Sequence, residues 1–331
     1  NRSFCIFIVG HDIGAFVDDN RSTVFYNNIT VVQQMIVHNQ HTAVFHGDGN
    51  ALIYDQLLVN GVGSTLADGK ALDNGIILYR TVGVNPEGIF PVLAAIIVTY
   101  IKAGISTGEI DRMVAAFLKE NGARSSDLGY QGYPKHICTS VNDVIVHGIP
   151  SDDCVLKDGD IVNIDLTAEY KGFHGDASRM FMIGNVSGQA RKLVQVCQDA
   201  LNAAISICAP GVPLSEIGKT IESVVTPHGF SISRDFVGHG IGKVMHDDPQ
   251  IYHFYDKRWD KVKMVPALVF TIEPMINTGR PDCKIDDDGW TARTVDGGLS
   301  AQWEHTIGIT EEGVRVDDIV ETVETCCRGL V

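Results

Sequence analysis

From about residue 86 onward, segments whose hydrophobic residues have the spacing of a helix alternate with segments whose hydrophobic residues have the spacing of a strand. Residues 106–122 place apolar side chains on one face of a helix, and Ser106 with Glu109 has the sequence signature of a capping box. A glycine marks the end of that helix, as is common after a last helical turn. Residues 159–166 instead alternate apolar and polar side chains with the period of two that is typical of a strand. The pattern predicts a mixed α and β architecture.

This layout occurs a second time later in the chain. Residues 210–229 repeat the glycine, glutamate and isoleucine spacing of the first helix, and residues 267–274 repeat the alternation of the first strand. In each strand one carboxylate interrupts the apolar residues, Asp165 in the first and Glu273 in the second. The repetition predicts two related halves arranged around a pseudo-two-fold axis. The predicted halves are residues 86–185 and 186–320.

The beginning of the chain follows a different pattern. Short β-like runs such as STVFYNN and NITVVQQMIV alternate with turn dipeptides, and no motif that carries chemistry is found among them. We therefore expect an N-terminal extension of unknown role over residues 1–85. A second domain over residues 86–331 would contain the chemistry.

Composition narrows the classes of function. The chain of 331 residues has 41 acidic and 26 basic side chains, for a net charge of −15. Such a surface repels phosphate groups, so neither nucleic acid nor an anionic membrane is an expected partner. The longest apolar run, residues 89–101, is too short for a membrane span. Eight scattered cysteines without a C-x-x-C pair indicate free thiols in a reducing compartment.

Four carboxylates lie in strand-like contexts, where a buried charge without a partner is costly. Asp165 interrupts an apolar strand, and a glycine-containing hairpin would return Asp176 beside it. Glu273 precedes a proline at a strand end, and Glu304 interrupts another alternating run. Taken singly, each carboxylate is explained as well by a structural role, with Arg179 as the alternative ion-pair partner of Asp176.

The stretch GHGIGKVMHDDP, residues 238–249, adds two histidines to this set. His239 lies among three glycines, and His246 precedes two aspartates. Two Asp, two Glu and one His make an oxygen-rich set that suits a pair of divalent Mn, Fe, Co or Zn ions. Such a pair can hold a bridging water and lower its pKa, which indicates a hydrolase. The stretch lacks the G-K-[ST] ending of a phosphate-binding loop.

Five separated motifs closely resemble those of type I methionine aminopeptidases, in the same order and with similar spacing. The resemblance covers about residues 86–315. It implies the α+β pita-bread fold of the creatinase and aminopeptidase class, with pseudo-two-fold-related halves. The motifs are GYPKHICTSVNDVIVHGIP (132–150), NIDLTAEYKGFHGDASRMF (163–181), GHGIGKVMHDDPQIYHF (238–254), TIEPMINTG (271–279) and DGWTARTVDGGLSAQWEHTIGIT (288–310).

The resemblance also implies roles in catalysis. Two divalent metal ions (Co²⁺, Mn²⁺, Fe²⁺ or Zn²⁺) would be held by Asp165, Asp176, His239, Glu273 and Glu304. Asp176 and Glu304 would bridge the ions, and Glu273 would also take a proton from the water or hydroxide between them. His246 would stabilise the tetrahedral oxyanion, and His147 would contact the amide nitrogen of the scissile peptide.

A methionine pocket and a monovalent-cation site complete what the resemblance implies. Aromatic and sulfur-bearing walls suit a flexible thioether. Met245 stands where an aromatic residue is common and Asp127 where a small or apolar one is usual, so we expect the pocket to differ in shape and selectivity. The substrate-binding residues would be Tyr130, Tyr133, Cys138, Met245 and Trp290, together with His147 and His246. The monovalent cation would be held at Asn142, Val144 and Ser300.

The expected reaction is metal-dependent removal of the N-terminal methionine from nascent proteins and peptides, with preference for a small second residue. The alternatives are an Xaa-Pro aminopeptidase or dipeptidase on the same fold, and a pita-bread binding protein without catalysis. Proline-specific relatives usually have a larger N-terminal domain, and non-catalytic ones lose metal ligands that are all present here. We expect a monomer in the cytoplasm, with an organelle as the alternative compartment and ribosome docking by the N-terminal segment left open.

Overall fold

The computed structural model describes six strands within residues 5–54, then Ile97 and residues 100–316. The chain divides into two compact units, Asn1–Val84 and Asn85–Val331. Assigning an extension to the first unit and catalysis to the second remains a prediction. Each helix in the described part of the chain is too short or too polar to span a bilayer.

The first unit consists of short antiparallel strands. The β-like runs that the sequence marks, STVFYNN and NITVVQQMIV, coincide with its third and fourth strands. The first two strands pair with each other, and the next four form a sheet in chain order. The strands are β1 (Cys5–Val9), β2 (Asp12–Phe16), β3 (Thr23–Tyr26), β4 (Ile29–His38), β5 (His41–Phe45) and β6 (Ala51–Tyr54).

The second unit has its first fully described helix, α1 (Thr107–Glu120), where the sequence predicts one. The Ser106 hydroxyl accepts a hydrogen bond from the Glu109 N–H at 3.1 Å, and the Glu109 carboxylate accepts one from the Ser106 N–H at 2.8 Å. This capping box satisfies N–H groups that the start of a helix leaves unpaired. The apolar face predicted for the helix is buried, and its fully or largely enclosed side chains are Ile110, Val114, Phe117 and Leu118.

The strands of the second unit form a nine-stranded sheet and two three-stranded sheets, all antiparallel. Helices α2 (Gly188–Ser206) and α3 (Ser215–Val225) begin its second half. The strands are β7 (Arg124–Ser125), β8 (Cys138–Val141), β9 (Val144–Val146), β10 (Ile161–Tyr170), β11 (Phe173–Met182), β12 (Ser231–Ile232), β13 (Gly238–Gly240), β14 (Asp247–Ile251), β15 (Val269–Ile272), β16 (Met275–Asn277), β17 (Cys283–Ile285), β18 (Ala292–Thr294), β19 (Ser300–Gln302), β20 (Glu304–Thr310) and β21 (Gly313–Val316).

The order of the large sheet is β14-β13-β15-β20-β11-β10-β7, with β21 added to β20 and β8 to β10. Strands β10 and β15 contain the two copies of the repeated strand pattern. Strand β10 is the direct neighbour of β11, and β15 is the direct neighbour of β20. The two strands therefore occupy equivalent places on either side of the central β11–β20 pair. This arrangement confirms the predicted α+β organisation in two related halves.

The β10–β11 hairpin determines the relative position of the first two carboxylates. Its turn has positive φ at Lys171 (52°) and Gly172 (86°), as a two-residue type I′ turn requires. The resulting register pairs Thr167 with Asp176, and Asp165 with the residue two positions further along β11. Because side chains alternate between the faces of a strand, Asp165 and Asp176 lie on the same face as diagonal neighbours.

Successive side chains of β15 and β20 point to opposite faces of the sheet. One face packs in the hydrophobic core, and the other faces the predicted site. Phe270 and Ile272 of β15 and Ile307 of β20 pack in one hydrophobic core with side chains of α2 and α3. The intervening positions therefore face the other way, and these include Glu304 at the start of β20. The large apolar side chains thus fix the strands while the carboxylates project from the opposite face.

Gly218 lets α3 approach the chain just after β14, and an alanine there should destabilise the protein. An added Cβ would lie 2.1 Å from the Phe254 carbonyl oxygen. Alanine is the better helix former by about 1 kcal/mol, but the overlap should outweigh this. We expect Gly218→Ala to lower the free energy of unfolding by about 1–3 kcal/mol, the usual range for overpacking.

Urea unfolding followed by tryptophan fluorescence measures this effect, because all three tryptophans, Trp259, Trp290 and Trp303, lie in the second unit. Gly188→Ala in α2 is the matched control, since a Cβ there meets nothing within 4 Å. Equal unfolding energies for the two variants would contradict the predicted close approach.

Candidate metal centre and substrate pocket

The five predicted metal ligands come from different parts of the large sheet and line one cavity of about 700 Å³. Strand β10 contributes one aspartate, β11 the other, and β20 and the end of β15 one glutamate each. The histidine lies at the middle of β13. These residues are Asp165, Asp176, Glu304, Glu273 and His239.

Three of these side chains form a compact cluster. Ligand atoms of Asp176, His239 and Glu304 all lie within 4.8 Å of one another. The His239 Nε2 atom is 3.7 Å from Asp176 Oδ2 and also 3.7 Å from Glu273 Oε1. Two carboxylates thus approach the same imidazole nitrogen from β11 and from the end of β15.

The imidazole of His239 is oriented for metal binding by its own backbone. Its Nδ1 lies 3.0 Å from the Gly240 carbonyl oxygen, which can only accept a hydrogen bond. Nδ1 therefore holds a proton, and Nε2 is the nitrogen that faces the carboxylates and would bind a metal once it has lost its own proton. Metal-binding histidines are commonly fixed in this way, with the other ring nitrogen donating to a carbonyl or carboxylate.

Threonines on the same strands orient the carboxylates. The Thr167 hydroxyl donates to Asp176 Oδ2 at 2.8 Å, and the Thr271 hydroxyl donates to Glu273 Oε1 at 2.7 Å. The second oxygen of Asp176, Oδ1, is buried and makes no hydrogen bond. Such an atom requires a partner, and a cation in the cluster would supply one.

Repulsion among the carboxylates of the cluster also favours the binding of cations. Burial, followed by the charge of Asp176, raises the pKa of Asp165 and of Glu304 well above the usual carboxyl range. Burial also raises the pKa of Glu273 to about 7. Burial lowers the pKa of His239, but its hydrogen bond to Asp176 and the nearby carboxylates outweigh that and raise it to about 9. The donor set therefore fits divalent metal, which would relieve this repulsion.

The side chains of Asp176 and Arg179 lie on opposite faces of β11, because the two residues are three positions apart on that strand. The Arg179 guanidinium lies over the Trp303 ring, 5.6 Å from its centroid. The ion-pair partner of Asp176 is instead His239, within the ligand cluster.

His246 and His147 line the same cavity outside the ligand cluster. His246 Nδ1 lies 2.9 Å from the Tyr130 hydroxyl, and its ring centroid lies 4.2 Å from that of His239. Burial, with the charge of His239, lowers the pKa of His246 to about 4, so its imidazole is neutral at physiological pH. His147 has a φ of 59°, and its ring meets Phe236 edge-on at 5.3 Å. Burial lowers the pKa of His147 as well.

The predicted methionine-pocket residues line this cavity too, namely Tyr130, Tyr133, Cys138, Met245 and Trp290. The rings of Tyr133 and Trp290 meet edge-on at 5.1 Å, and the Tyr133 hydroxyl donates to backbone carbonyls. Cys138 is buried, which raises the pKa of its thiol well above the usual value. A thiol in that state is a poor nucleophile and serves as a wall of the pocket.

Residues 91–311 match the metallopeptidase family M24. The chain is 46% identical over 230 residues to a methionine aminopeptidase of Escherichia coli K12, covering 68% of this chain and 87% of that relative. It is 45% identical to a chloroplastic/mitochondrial methionine aminopeptidase 1D of Arabidopsis thaliana, covering 74% and 70%. The crystal structure of a methionine aminopeptidase from Rickettsia prowazekii aligns with a TM-score of 0.68 at 39% identity, over 71% of this chain and 94% of that one.

The chain belongs to metallopeptidase family M24, in its methionine aminopeptidase branch. The M24 fold accounts for the two-halved sheet whose strands carry the predicted ligands. Membership also implies divalent metal in the cluster, in agreement with the donor set described above.

Several residues that support this M24 site do not stand out in the sequence. His253 is fully buried, and its Nε2 accepts a hydrogen bond from the Glu273 N–H at 3.1 Å. Thr167 and Thr271 could have been found, because each lies two positions from a carboxylate on the same strand face. No local pattern around His253 links it to a residue twenty positions away.

The structure brings together two of the three residues predicted for a monovalent cation. The Ser300 N–H donates to the Asn142 carbonyl at 2.8 Å, and the Ser300 hydroxyl is buried without a hydrogen-bond partner. Val144 begins β9, two residues after Asn142. The Asn142 side chain is already engaged by Asp160 and by the Ile161 N–H.

We expect the metal-free protein to lose stability as the pH rises from about 6.5 to about 9, a range in which the histidines with lowered pKa, such as His147 and His246, are neutral in both the folded and the unfolded chain. The folded-state pKa of Glu273 rises from 4.5 to about 7, and Glu304 shifts in the same direction. The folded chain thus binds protons that the unfolded chain has released, and deprotonation disfavours folding. The raised pKa of His239 acts likewise, since its contribution is complete below 6.5 and is lost through about 9.

Urea unfolding in chelator across this pH range measures that slope. Glu304→Gln should flatten it, because the amide does not ionise, whereas the exposed Glu311→Gln should leave it unchanged. A wild-type slope retained in Glu304→Gln would show that the cluster does not control the pH dependence.

Proposed function

We propose that this chain removes the N-terminal methionine of polypeptides with a small second residue, using two divalent metal ions bound by the clustered carboxylates and His239. One observation carries the proposal, the presence of a possible metal-binding cluster and of aromatic and sulfur-containing side chains in the wall of a single cavity. Membership in the methionine aminopeptidase branch supports the same reaction.

Each ligand has a distinct place in the proposed centre. Asp176 and Glu304 lie on the two central strands and would both help to hold the ions. Asp165 on β10 and Glu273 after β15 lie to either side of that pair, and each would bind one ion, with His239 completing one coordination sphere. The ions would be Co²⁺, Mn²⁺, Fe²⁺ or Zn²⁺, all of which bind this mixture of oxygen and nitrogen donors. When bound, such ions lower the pKa of water and polarise the scissile carbonyl.

Glu273 would move the proton of the attacking water. Thr271 holds its Oε1 by a hydrogen bond, and the Gln302 amide lies 3.4 Å from Oε2. The main chain at Glu273 is itself fixed by His253. A carboxylate held in this way can accept a proton at Oε2 and return it to the leaving amine.

The two other histidines would act on the peptide. The Tyr130 hydroxyl donates to His246 Nδ1 in the tautomer that leaves an N–H at Nε2. That N–H can donate to the oxygen on which negative charge develops, which is a large contribution to catalysis. His147 would contact the amide nitrogen. Its φ of 59° is unusual for a residue other than glycine and is the kind of backbone strain found at functional sites.

Substrate selection would follow from the walls of the cavity. Tyr133, Cys138 and Trp290 surround a space suited to the methionine thioether, with Tyr130 and Met245 at other parts of the wall. A bulky second residue would crowd the attacking water, so small ones are favoured. A proline-specific aminopeptidase is the alternative within the same family.

The proposal also covers the oligomeric state, a monovalent cation and the cellular compartment. All the residues invoked above belong to the second unit, which supports a monomer as the active species. A monovalent cation at Asn142, Val144 and Ser300 would give the unpaired Ser300 hydroxyl a partner. We place the protein in the cytoplasm, with an organelle as the alternative, and ribosome docking stays a prediction from the sequence.

Peptide hydrolysis tests the function. Peptides beginning Met-Gly, Met-Leu and Ala-Pro would be incubated with the chelated protein and again after restoring Mn²⁺, Co²⁺ or Fe²⁺. We expect metal-dependent release of methionine from the Met-Gly peptide. Release before proline would move the chain to the proline-specific class, and no turnover with any metal would favour a binding protein.

His246→Ala should lower kcat by about a hundredfold or more while metal content is kept, because it removes an oxyanion donor and no metal ligand. Metal analysis of the purified variant beside its kinetics measures both effects. His136→Ala is a matched control, since that histidine is bound to Asp111 and does not line the cavity. Loss of metal from His246→Ala would show that the roles given to the two histidines are wrong.

A further inference from the structure

Asp127 is an unexpected part of the pocket wall. Its side chain lines the same cavity as Tyr133 and Cys138, and only 8% of the residue is exposed. The other residues around the thioether space are aromatic or contain sulfur. A carboxyl group in that wall changes the chemistry that the pocket offers to a side chain.

The backbone and a hydrogen bond hold this carboxyl in place. The Asp127 N–H donates to the Ser125 hydroxyl at 3.1 Å, and its carbonyl accepts from the Tyr130 N–H at 3.0 Å. Asp127 Oδ2 accepts a hydrogen bond from the Thr167 N–H at 3.1 Å, on the strand that carries Asp165. The carboxyl is therefore fixed between the loop and β10 and cannot turn outward without losing this bond.

The carboxyl retains capacity for a further hydrogen bond. A carboxyl group has two oxygens and can accept several hydrogen bonds, or donate one when protonated. No ion pair joins Asp127 to any residue that the structure describes. Burial, then the charge of Asp176, raises its pKa well above the usual range. Because Asp127 lines the cavity, a side chain bound there can form a hydrogen bond with its carboxyl group, and hydrogen bonds to such groups are among the stronger ones.

We propose that Asp127 is a specificity-determining residue that extends the pocket's acceptance from methionine to side chains of similar length bearing a hydrogen-bonding end, with glutamine as the model case. This inference rests on the proposed function, because it concerns which N-terminal residue the same site admits.

Glutamine fits the chemistry of this wall better than other polar side chains. The glutamine side chain, like that of methionine, is unbranched as far as its third heavy atom. Its terminal amide both donates and accepts hydrogen bonds. It can therefore pair with Asp127 whether that carboxyl is ionised or protonated. Norleucine has the same length without any polar atom, and methionine offers only a weak acceptor sulfur.

The test compares kcat/KM for freshly prepared Met-Gly, norleucine-Gly and Gln-Gly peptides on the metal-loaded full chain. Asp127→Leu removes the carboxyl at similar volume, and Asp127→Asn keeps a polar group that can still accept from Thr167. The exposed Asp153→Leu is the matched control. We expect Asp127→Leu to lower the ratio of Gln-Gly to norleucine-Gly about tenfold. Asp127→Asn and Asp153→Leu should change that ratio less than about threefold.

The outcomes separate this inference from the proposed function. Methionine release by the wild type with an unchanged ratio in Asp127→Leu would overturn the role of Asp127 alone. No methionine release by the wild type would overturn the proposed function, and this inference with it. Asp127→Ala provides the same comparison if circular dichroism shows that the leucine variant does not fold.

Discussion

The repulsion among four buried carboxylates is the constraint on which the rest of this structure depends. Asp165, Asp176, Glu273 and Glu304 come together in one cavity, where His239 is the positive group that approaches them among the residues that the structure describes. Without cations this arrangement disfavours the folded state at neutral pH. The strands must therefore be held by something stronger, and the apolar core of α2, α3, β15 and β20 supplies it. Binding of divalent metal then turns the same repulsion into affinity.

The antiparallel sheet solves the geometric part of this problem. Two hairpin-like halves meet at the β11–β20 pair, so equivalent strands present equivalent faces to the same cavity. Side-chain alternation sends Phe270 and Ile272 into the core and leaves Thr271 and Glu273 on the site face. Positioning of the ligands thus follows from packing, and threonines complete their orientation. Rigid strands of this kind keep a catalytic centre more precise than loops would.

In the proposed function, substrate choice depends on a different part of the molecule. The wall that meets the substrate side chain is built largely from the loop around Tyr130 and Tyr133, from Cys138 and from Trp290. This wall can change without disturbing the metal ligands, because it does not lie on the central strand pair. Asp127 is such a change, since it is tied to β10 through Thr167 yet faces the pocket. Catalysis and selectivity are therefore separable in this fold.

The sequence by itself determined the helix α1 with its capping box, the repeated strand pattern and the family, because these depend on local periodicity and on motif spacing. It also singled out the five predicted ligands that the structure brings to one cavity, although residue by residue a structural role explained each as well. Only the tertiary structure decided that Asp176 pairs with His239 rather than Arg179, and that His253 holds the main chain at Glu273. Those contacts join residues far apart in the chain, and local patterns contain no information about them. The sequence had marked Asp127 as a departure near the pocket, but only the tertiary structure shows its carboxyl group bound to the Thr167 N–H in the cavity wall.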